Sequence, residues 1–194
     1  MEADAPPIVG YRPLRADDRD RLIAFHETLS REAVFRRFHA LIPHLSVAMA
    51  EALTASGVGG RYAVGAVVGD GGGERIVGVA RAERGATGEE IAVVVTDRWQ
   101  GHGIARRLLA EVCDAMRRDG WLQAYVDVQT DNEAMLRLTP PAARICTRPP
   151  QDGLLRIHLD LRRWDAYLRG AHTQLWMAQR SGYEWWTTVG GTPQ

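Results

Sequence analysis

The sequence VVVTDRWQGHGIARRLL, residues 93–109, joins two different hydrophobic patterns through a polar corner. The valine run at its start is typical of a buried strand, whereas the apolar residues after position 103 recur at helical spacing. Two glycines, Gly101 and Gly103, stand just before the helix pattern. The first N–H groups of a helix have no partner within it, so glycines there let the backbone close around an anion such as a phosphate. The corner therefore predicts either an anion site or a plain tight turn. It fits neither a dinucleotide fingerprint nor a P-loop, because a third glycine and a Gly-Lys-Ser/Thr sequence are missing.

Hydrophobic periodicity predicts further strands and helices on both sides of this corner. The predicted strands are residues 8–14, 62–68, 76–84, 90–95, 121–128 and 154–159, and predicted helices begin near positions 17, 30, 46, 103 and 131. Turn residues around positions 69–73 and 85–88 predict three adjacent antiparallel strands. The strand, helix and strand from 90 to 128 predict a parallel pair with a right-handed crossover.

Two of the predicted helices have boundaries set by proline. The second helix carries Val34, Phe35, Phe38 and Leu41 as its apolar residues and ends at Pro43. The helix that begins at position 131 is cut short by the Pro-Pro pair at 140–141, because proline cannot donate to the helix ladder.

Composition excludes several classes of protein. The 194 residues carry 24 Lys+Arg and 24 Asp+Glu, so no general basic field attracts nucleic acid or a membrane surface. No apolar run approaches the length that spans a bilayer. Cys113 and Cys146 form no C-x-x-C pair and the N-terminus lacks the features of a signal peptide, so we expect a cytoplasmic protein with reduced thiols. The six histidines show no metal-ligand spacing, and no metal is expected.

The corner resembles a known family signature. The segment from Gln100 to Ala105 matches the Q/R-x-x-G-x-G/A signature of the GCN5-related N-acetyltransferases, the GNAT family. Three further segments resemble that family in the same order, namely YRPLR with Asp17 and Asp18, LSRE with FRRF within residues 29–38, and DNEAM at 131–135. The FRRF segment is similar to one found in bacterial protein-lysine acetyltransferases.

The resemblance implies an α/β (α+β) fold over residues 1–160. It consists of a mixed, mostly antiparallel central sheet flanked by helices, with a strand-helix-strand unit that binds acetyl-CoA. The pyrophosphate would lie on the N–H groups from Gly101 to Arg106, the pantetheine arm along the valine strand, and the acetyl group in a gap between that strand and the strand at 121–128. The residues implied in acetyl-CoA binding are Val93, Val94, Val95, Gln100, Gly101, His102, Gly103, Ile104, Ala105, Arg106 and Asn132. Asn132 is also a natural helix N-cap.

Transfer to an amine requires a base, because a lysine amine is protonated at neutral pH. Glu90 is the candidate, since it starts the strand that leads into the corner and the family carries a glutamate base at the matching position. Strand alternation places Glu90 on the face opposite to Glu89. The alternative is that both glutamates are simply a solvated pair at the entrance of the strand. Tyr125 and Asp127 share one face of the next strand and are candidates to protonate the departing thiolate and to bind the substrate cation. The alternative is that the face carrying Tyr125 and Asp127 has no role in catalysis and is covered by a helix or exposed to solvent.

Two regions depart from the family pattern. The short helix after Asn132 has no tyrosine that could act as an acid, so a general acid remains open. The tail, residues 161–194, holds a predicted helix and four of the six tryptophans, which could pack on the same domain, join a homodimer or cover the substrate groove. The acceptor implied by the 29–38 segment is a protein lysine, with a small-molecule amine and a silent acyl-CoA-binding module as alternatives.

Overall fold

The computed structural model describes residues 9–57, 59–69, 73–85, 87–139, 141–147 and 149–164, with the side chains at 146 and 147 left aside. Its strands are β1 Gly10–Pro13, β2 Arg61–Val68, β3 Arg75–Gly85, β4 Gly88–Val95, β5 Gln123–Gln129, β6 Arg144–Thr147 and β7 Leu154–Asp160. Its helices are α1 Arg19–Glu27, α2 Arg31–Phe38, α3 Val47–Thr54, α4 Ile104–Arg118 and α5 Glu133–Leu138. Short 3-10 turns lie at Ala16–Asp18, Asp97–Trp99 and Pro141–Ala143.

The seven strands form one sheet in the order β1-β2-β3-β4-β5-β7-β6. All neighbouring pairs are antiparallel except β4 and β5, which are parallel and joined through α4. The predicted mixed, mostly antiparallel sheet is confirmed, as is the strand-helix-strand unit. β6 was not predicted, because it is an edge strand of four residues that follows a proline pair. It is too short for the alternation of apolar and polar residues that identifies a strand.

Helices cover both faces of the sheet. On one face, the α4 face, the helix buries an apolar stripe completely against β2, β3 and β4, because its apolar residues recur every three or four positions. This stripe contains Ile104, Leu108, Leu109, Val112 and Met116. The opposite face, the α1–α3 face, packs on Leu22 and Phe25 of α1. Burial of each such side chain contributes roughly 1.5–3 kcal/mol.

Gly78 permits the close approach of α4 to the end of β4. A Cβ atom at this position would lie 3.0–3.3 Å from side-chain atoms of Leu108, Val95 and Ile104. A larger residue would therefore push the first turns of α4 away from β3, and the corner between β4 and α4 would move with them.

The second helix is shorter than predicted. α2 ends at Phe38, because His39 takes a left-handed conformation with φ 52° and its N–H bonds to the carbonyl of Phe35. Val34 is buried, whereas Phe35 is 45% exposed and Leu41, beyond the helix end, is 62% exposed. The helix packs through Ala33 and Val34, so only part of its apolar set reaches the core.

The C-terminal part of the described chain packs into the core. α5 ends at Leu138, in agreement with the predicted stop, and Arg144 donates to the carbonyls of Leu136 and Thr139. The fully buried Trp164 donates its indole N–H to the carbonyl of Leu138 at 2.9 Å. The predictions for the tail beyond Trp164 fall outside the described residues. Among the described helices, none has the length and apolar character needed to cross a bilayer.

Candidate active site

The central feature of the site is a split in the sheet between β4 and β5. Both strands are fully described, and their one registered pair is Glu90 opposite Tyr125. Beyond this point Val93, Val94 and Val95 pair with β3 on one side and have no registered strand on the other. Backbone N–H and C=O groups at such an edge are open to an extended ligand that adds itself as a strand. The separation agrees with the gap expected from the sequence.

An open helix end lies beyond the split. Gly101 and Gly103 have φ values of 79° and 77°, in the left-handed region that favours glycine, and nothing lies within 4 Å of a Cβ placed on either. Gly103 is the N-cap of the 15-residue α4, and no side chain caps this helix. The first N–H groups of α4 and its positive dipole end therefore face open space, which fits a phosphate group.

Side chains around the corner hold its shape. Gln100 donates its side-chain amide to the carbonyl of Val95 at 3.1 Å, and His102 Nδ1 lies 2.8 Å from the carbonyl of Gln100. Arg107 bonds to Glu111 at 2.7 Å and lies over the ring of Tyr11. The corner is thus fixed by its own side chains, while its backbone N–H groups stay exposed.

The closed end of the split carries a hydrogen-bonded chain of three side chains. Tyr125 donates its hydroxyl to Glu90 Oε2 at 3.3 Å, and Thr87 donates to the Tyr125 hydroxyl at the same distance. Tyr125 is only 5% exposed, and burial, with the nearby Glu90 charge as a smaller cause, raises the pKa of its phenol. Glu89 instead pairs with Arg84 at 3.1 Å. Glu90 and Glu89 therefore point to opposite faces, in agreement with the predicted alternation.

Comparison with known proteins identifies the family of this chain. The description "Acetyltransferase (GNAT) family" matches residues 18–139. An acetyltransferase from Pseudomonas aeruginosa is 32% identical over 151 residues, which are 76% of this chain and 80% of that protein. The chain belongs to the GNAT family. It is therefore an acetyl-CoA-dependent N-acetyltransferase.

Solved structures of GNAT proteins share the fold. The crystal structure of the GNAT domain of S. lividans PAT has a TM-score of 0.67 and 28% identity, and the match covers 77% of this chain and 89% of that one. The structure of yncA from Salmonella typhimurium with its cofactor acetyl-CoA has a TM-score of 0.57 and 20% identity, over 79% and 94% of the two chains. The second likeness is one of fold alone.

In this GNAT protein, Asp127 is paired within the chain. Both carboxylate oxygens accept hydrogen bonds from Arg156, at 2.8 and 2.6 Å. The same guanidinium lies 4.0 Å over the ring of Tyr125 and donates to the Thr87 hydroxyl at 3.1 Å. The sequence predicts that Asp127 binds the substrate cation, whereas in the structure its carboxylate pairs with the guanidinium of Arg156 from β7. Arg156 and Thr87 were not predicted as site residues.

Helix α2 of the GNAT domain lies across the split. At its start the backbone N–H and hydroxyl of Ser30 bond to Asp97, which follows β4, at 3.2 and 3.1 Å. At its other end the carbonyl of Phe35 accepts from Gln129, the last residue of β5, at 3.3 Å. Asn132, an expected acetyl-CoA contact, caps α5 by accepting from the N–H of Met135. The resemblance of residues 29–38 thus falls on the helix that spans both strands.

Proposed function

We propose that this chain transfers the acetyl group of acetyl-CoA directly to a primary amine, that of a protein lysine. The observation that carries the proposal is the split between β4 and β5, with an uncapped helix end on one side and the pair of Glu90 and Tyr125 where the strands still meet. The protein acceptor is supported by residues 29–38, which resemble bacterial protein-lysine acetyltransferases and include α2.

The residues that would hold acetyl-CoA form two sets. The N–H groups from Gly101 to Arg106, including His102, Ile104 and Ala105, would bind the pyrophosphate, because the helix end offers donors and positive potential. The free edge at Val93–Val95 would pair with the pantetheine arm, with Gln100 fixing the corner and Asn132 meeting the arm from the start of α5. Bound acetyl-CoA supplies the acetyl group as a thioester.

Glu90 would take the proton from the acceptor ammonium, directly or through a water molecule. Its Oε2 already accepts the phenol hydrogen of Tyr125, so the two side chains can exchange a proton. The raised pKa of Tyr125 keeps its hydroxyl protonated at neutral pH, which makes it the proton source for the leaving sulfur. Return of the proton from Glu90 to Tyr125 would restore both groups for the next cycle, and the second proton that the nitrogen loses on forming the amide would leave to solvent.

Arg156 would position Tyr125 without touching the substrate. It stacks on the phenol ring and donates hydrogen bonds to Asp127 and Thr87. A bidentate carboxylate holds a guanidinium in one orientation, so the phenol cannot rotate away from Glu90. In this proposal Asp127 acts through Arg156.

The test combines acetyl-CoA titration by calorimetry with CoA thiol release against lysine peptides and small amines. We expect binding of acetyl-CoA and turnover on blocked peptides whose only amine is a lysine side chain. Turnover confined to small amines would refute the protein acceptor, and absence of acetyl-CoA binding would refute the whole proposal.

A further inference from the structure

The chain contains arginine but no lysine. Its 194 residues include 24 arginines, although lysine is one of the commonest residues in soluble proteins. Arginine and lysine carry the same charge at neutral pH, so they differ in geometry and in chemistry. The guanidinium is a planar fork of five donors, whereas the ammonium of lysine is a compact point charge that becomes a nucleophile when it loses its proton.

Fork geometry explains some of these arginines. In the described chain they bind both carboxylate oxygens of one aspartate, an arrangement that a lysine cannot make. The pairs of this kind include Arg12 with Asp18 and Arg156 with Asp127. At these positions the shape of the guanidinium is reason enough for arginine.

Other arginines supply only a point charge. Arg36 contacts one oxygen of Glu32 at 2.6 Å, and Arg137 contacts one oxygen of Glu133 at 3.0 Å. Both pairs are spaced four residues apart on a helix, where a glutamate and a lysine stabilise each other equally well. Pairing geometry therefore does not explain why lysine is absent from such positions.

The chemistry of the proposed reaction separates the two side chains. At neutral pH on the order of 1 in 2,500 lysine amines is neutral and able to attack a thioester, whereas the guanidinium keeps its proton. Attack of a lysine nitrogen on the thioester carbonyl forms the N–C bond of an amide, breaks the C–S bond and releases the CoA thiol and a proton. The side chain loses its charge in this step. Acetyl-CoA held in the split would present its thioester to any amine nearby at high effective concentration.

Arginines lie around the split, close to the proposed reaction centre. At the closed end the guanidinium of Arg156 lies 4.0 Å over the ring of Tyr125, whose hydroxyl bonds to Glu90. On α2, which crosses the split, Arg36 Nη2 lies 3.9 Å from Asp131 Oδ2, just before the start of α5. A loss of charge at either position would leave a carboxylate without its cation.

We propose that the lysine-free composition makes the enzyme resistant to self-acetylation. Arginine at these positions holds the charges that shape the split, and lysine at the same positions would be acetylated from bound acetyl-CoA and lose its charge. The inference rests on the proposed function, since it requires transfer to the amine of a lysine. It also bears on the regulation of the site, because acetylation of its own lysines cannot switch this chain off.

The experiment places one lysine amine at a time in the chain and follows acetyl uptake by mass spectrometry, with acetyl-CoA present and no acceptor added. Arg156→Lys tests the closed end of the split. Arg36→Lys tests α2, where a single ion pair with Glu32 should let the variant fold. Arg118→Lys is the matched control, because Arg118 is exposed in the last turn of α4, on the opposite face of the sheet. Peptide mapping assigns each acetyl group and sets the amino terminus apart.

The wild type is expected to take up no acetyl group on a side chain. The amines introduced by Arg156→Lys and Arg36→Lys should be acetylated at least about tenfold faster than the control amine, because the bound thioester lies near them. Their rates should not depend on protein concentration, as expected for transfer within one molecule, and addition of Glu90→Gln to Arg156→Lys should slow the uptake. Activity of Arg156→Lys on a lysine peptide should decline as the variant becomes acetylated, because Asp127 loses its cation.

The possible outcomes separate this inference from the proposed function. Equal rates at the split and at the control position would overturn the inference, since the acetyl groups would then come from free acetyl-CoA in solution. It would also be overturned if Arg156→Lys and Arg36→Lys turned over lysine peptides while staying unmodified, and the proposed function would then stand. Acetylation of the introduced amines without turnover of any added peptide would support the inference and refute the protein acceptor. Thermal melts show that each variant folds.

Discussion

Glu90→Gln removes the proposed base and keeps its size and its ability to accept a hydrogen bond from Tyr125. A lysine amine with a reference pKa of about 10.4 is neutral in on the order of 1 in 2,500 molecules at pH 7, a deficit of roughly 4.6 kcal/mol. General base catalysis recovers about 100-fold to 10,000-fold of such a deficit. We therefore expect kcat/KM at pH 7 to fall by about that factor, because among the described carboxylates Glu90 is the one that hydrogen-bonds to the Tyr125 hydroxyl, and Asp127 is held by Arg156.

The pH profile separates loss of a base from general damage. Without a base the enzyme depends on the fraction of amine that is already neutral, so the rate of Glu90→Gln should rise about tenfold per pH unit from about pH 6 toward pH 10. Thiol release across this range gives the profile, and calorimetry should show an unchanged dissociation constant for acetyl-CoA, since Glu90 lies away from the corner.

Glu89→Gln is the internal control for this experiment. Glu89 differs from Glu90 by one position, points to the other face and pairs with Arg84, an exposed contact that contributes about 0–1 kcal/mol. Its kcat/KM should stay within about twofold of the wild type. Wild-type kcat/KM in Glu90→Gln over the whole pH range would refute the base. An equal loss in both variants would refute the assignment of faces.

Three further predictions concern the corner and the stability of the fold. Gly103→Val should weaken acetyl-CoA binding by about tenfold or more in calorimetry, because a β-branched residue at φ 77° costs about 1–2 kcal/mol and displaces the helix end. An unchanged dissociation constant for acetyl-CoA would exclude the pyrophosphate site. Asp18→Asn should lower the free energy of unfolding by about 3–5 kcal/mol in denaturant titrations, because the fully buried Asp18 accepts two short bonds from Arg12. Desolvation raises the pKa of Asp18, but the hydrogen bonds from Arg12 and from the Arg15 backbone, together with the charges of Arg12 and Arg21, lower it overall. The contribution of Asp18 is therefore present above about pH 4 and is lost as pH falls through the folded pKa; the variant should lack this dependence. Trp164→Ala should lower the free energy of unfolding by about 3–5 kcal/mol in the same assay, because it empties a fully buried site and removes the hydrogen bond to the Leu138 carbonyl. A smaller loss would show that this segment is not part of the core.

The sequence predicted those parts of the molecule that depend on local pattern. The valine run, the two glycines and the apolar stripe of α4 lie within one short stretch, and each acts on its own neighbours, so the corner could be predicted. The opposite directions of Glu89 and Glu90 follow from strand alternation alone. The helix stop before position 140 follows from the chemistry of proline.

The parts that could not be predicted depend on strand register and on packing angle. Asp127 faces Arg156 because β5 and β7 pair in one register, and no local signal in either strand fixes that register. Helical spacing alone does not show which apolar residues of α2 reach the core, because this depends on how the helix is rotated over the sheet: Val34 is buried, whereas Phe35 is 45% exposed. Thr87, just before β4, joins the site through hydrogen bonds to Tyr125 and Arg156, two residues that lie far from it in sequence.

Two backbone features around the split are open to a ligand. Elsewhere a buried charge such as Asp18 is compensated by its arginine partners. At the split, α4 has an N-terminus without a side-chain cap, and β4 has an edge without a registered strand beyond Glu90. Each deficit lowers stability on its own, and proteins retain such deficits at functional sites, where a ligand compensates them. The two deficits match a pyrophosphate and an extended amide arm, which are the parts of acetyl-CoA that the proposed function places there.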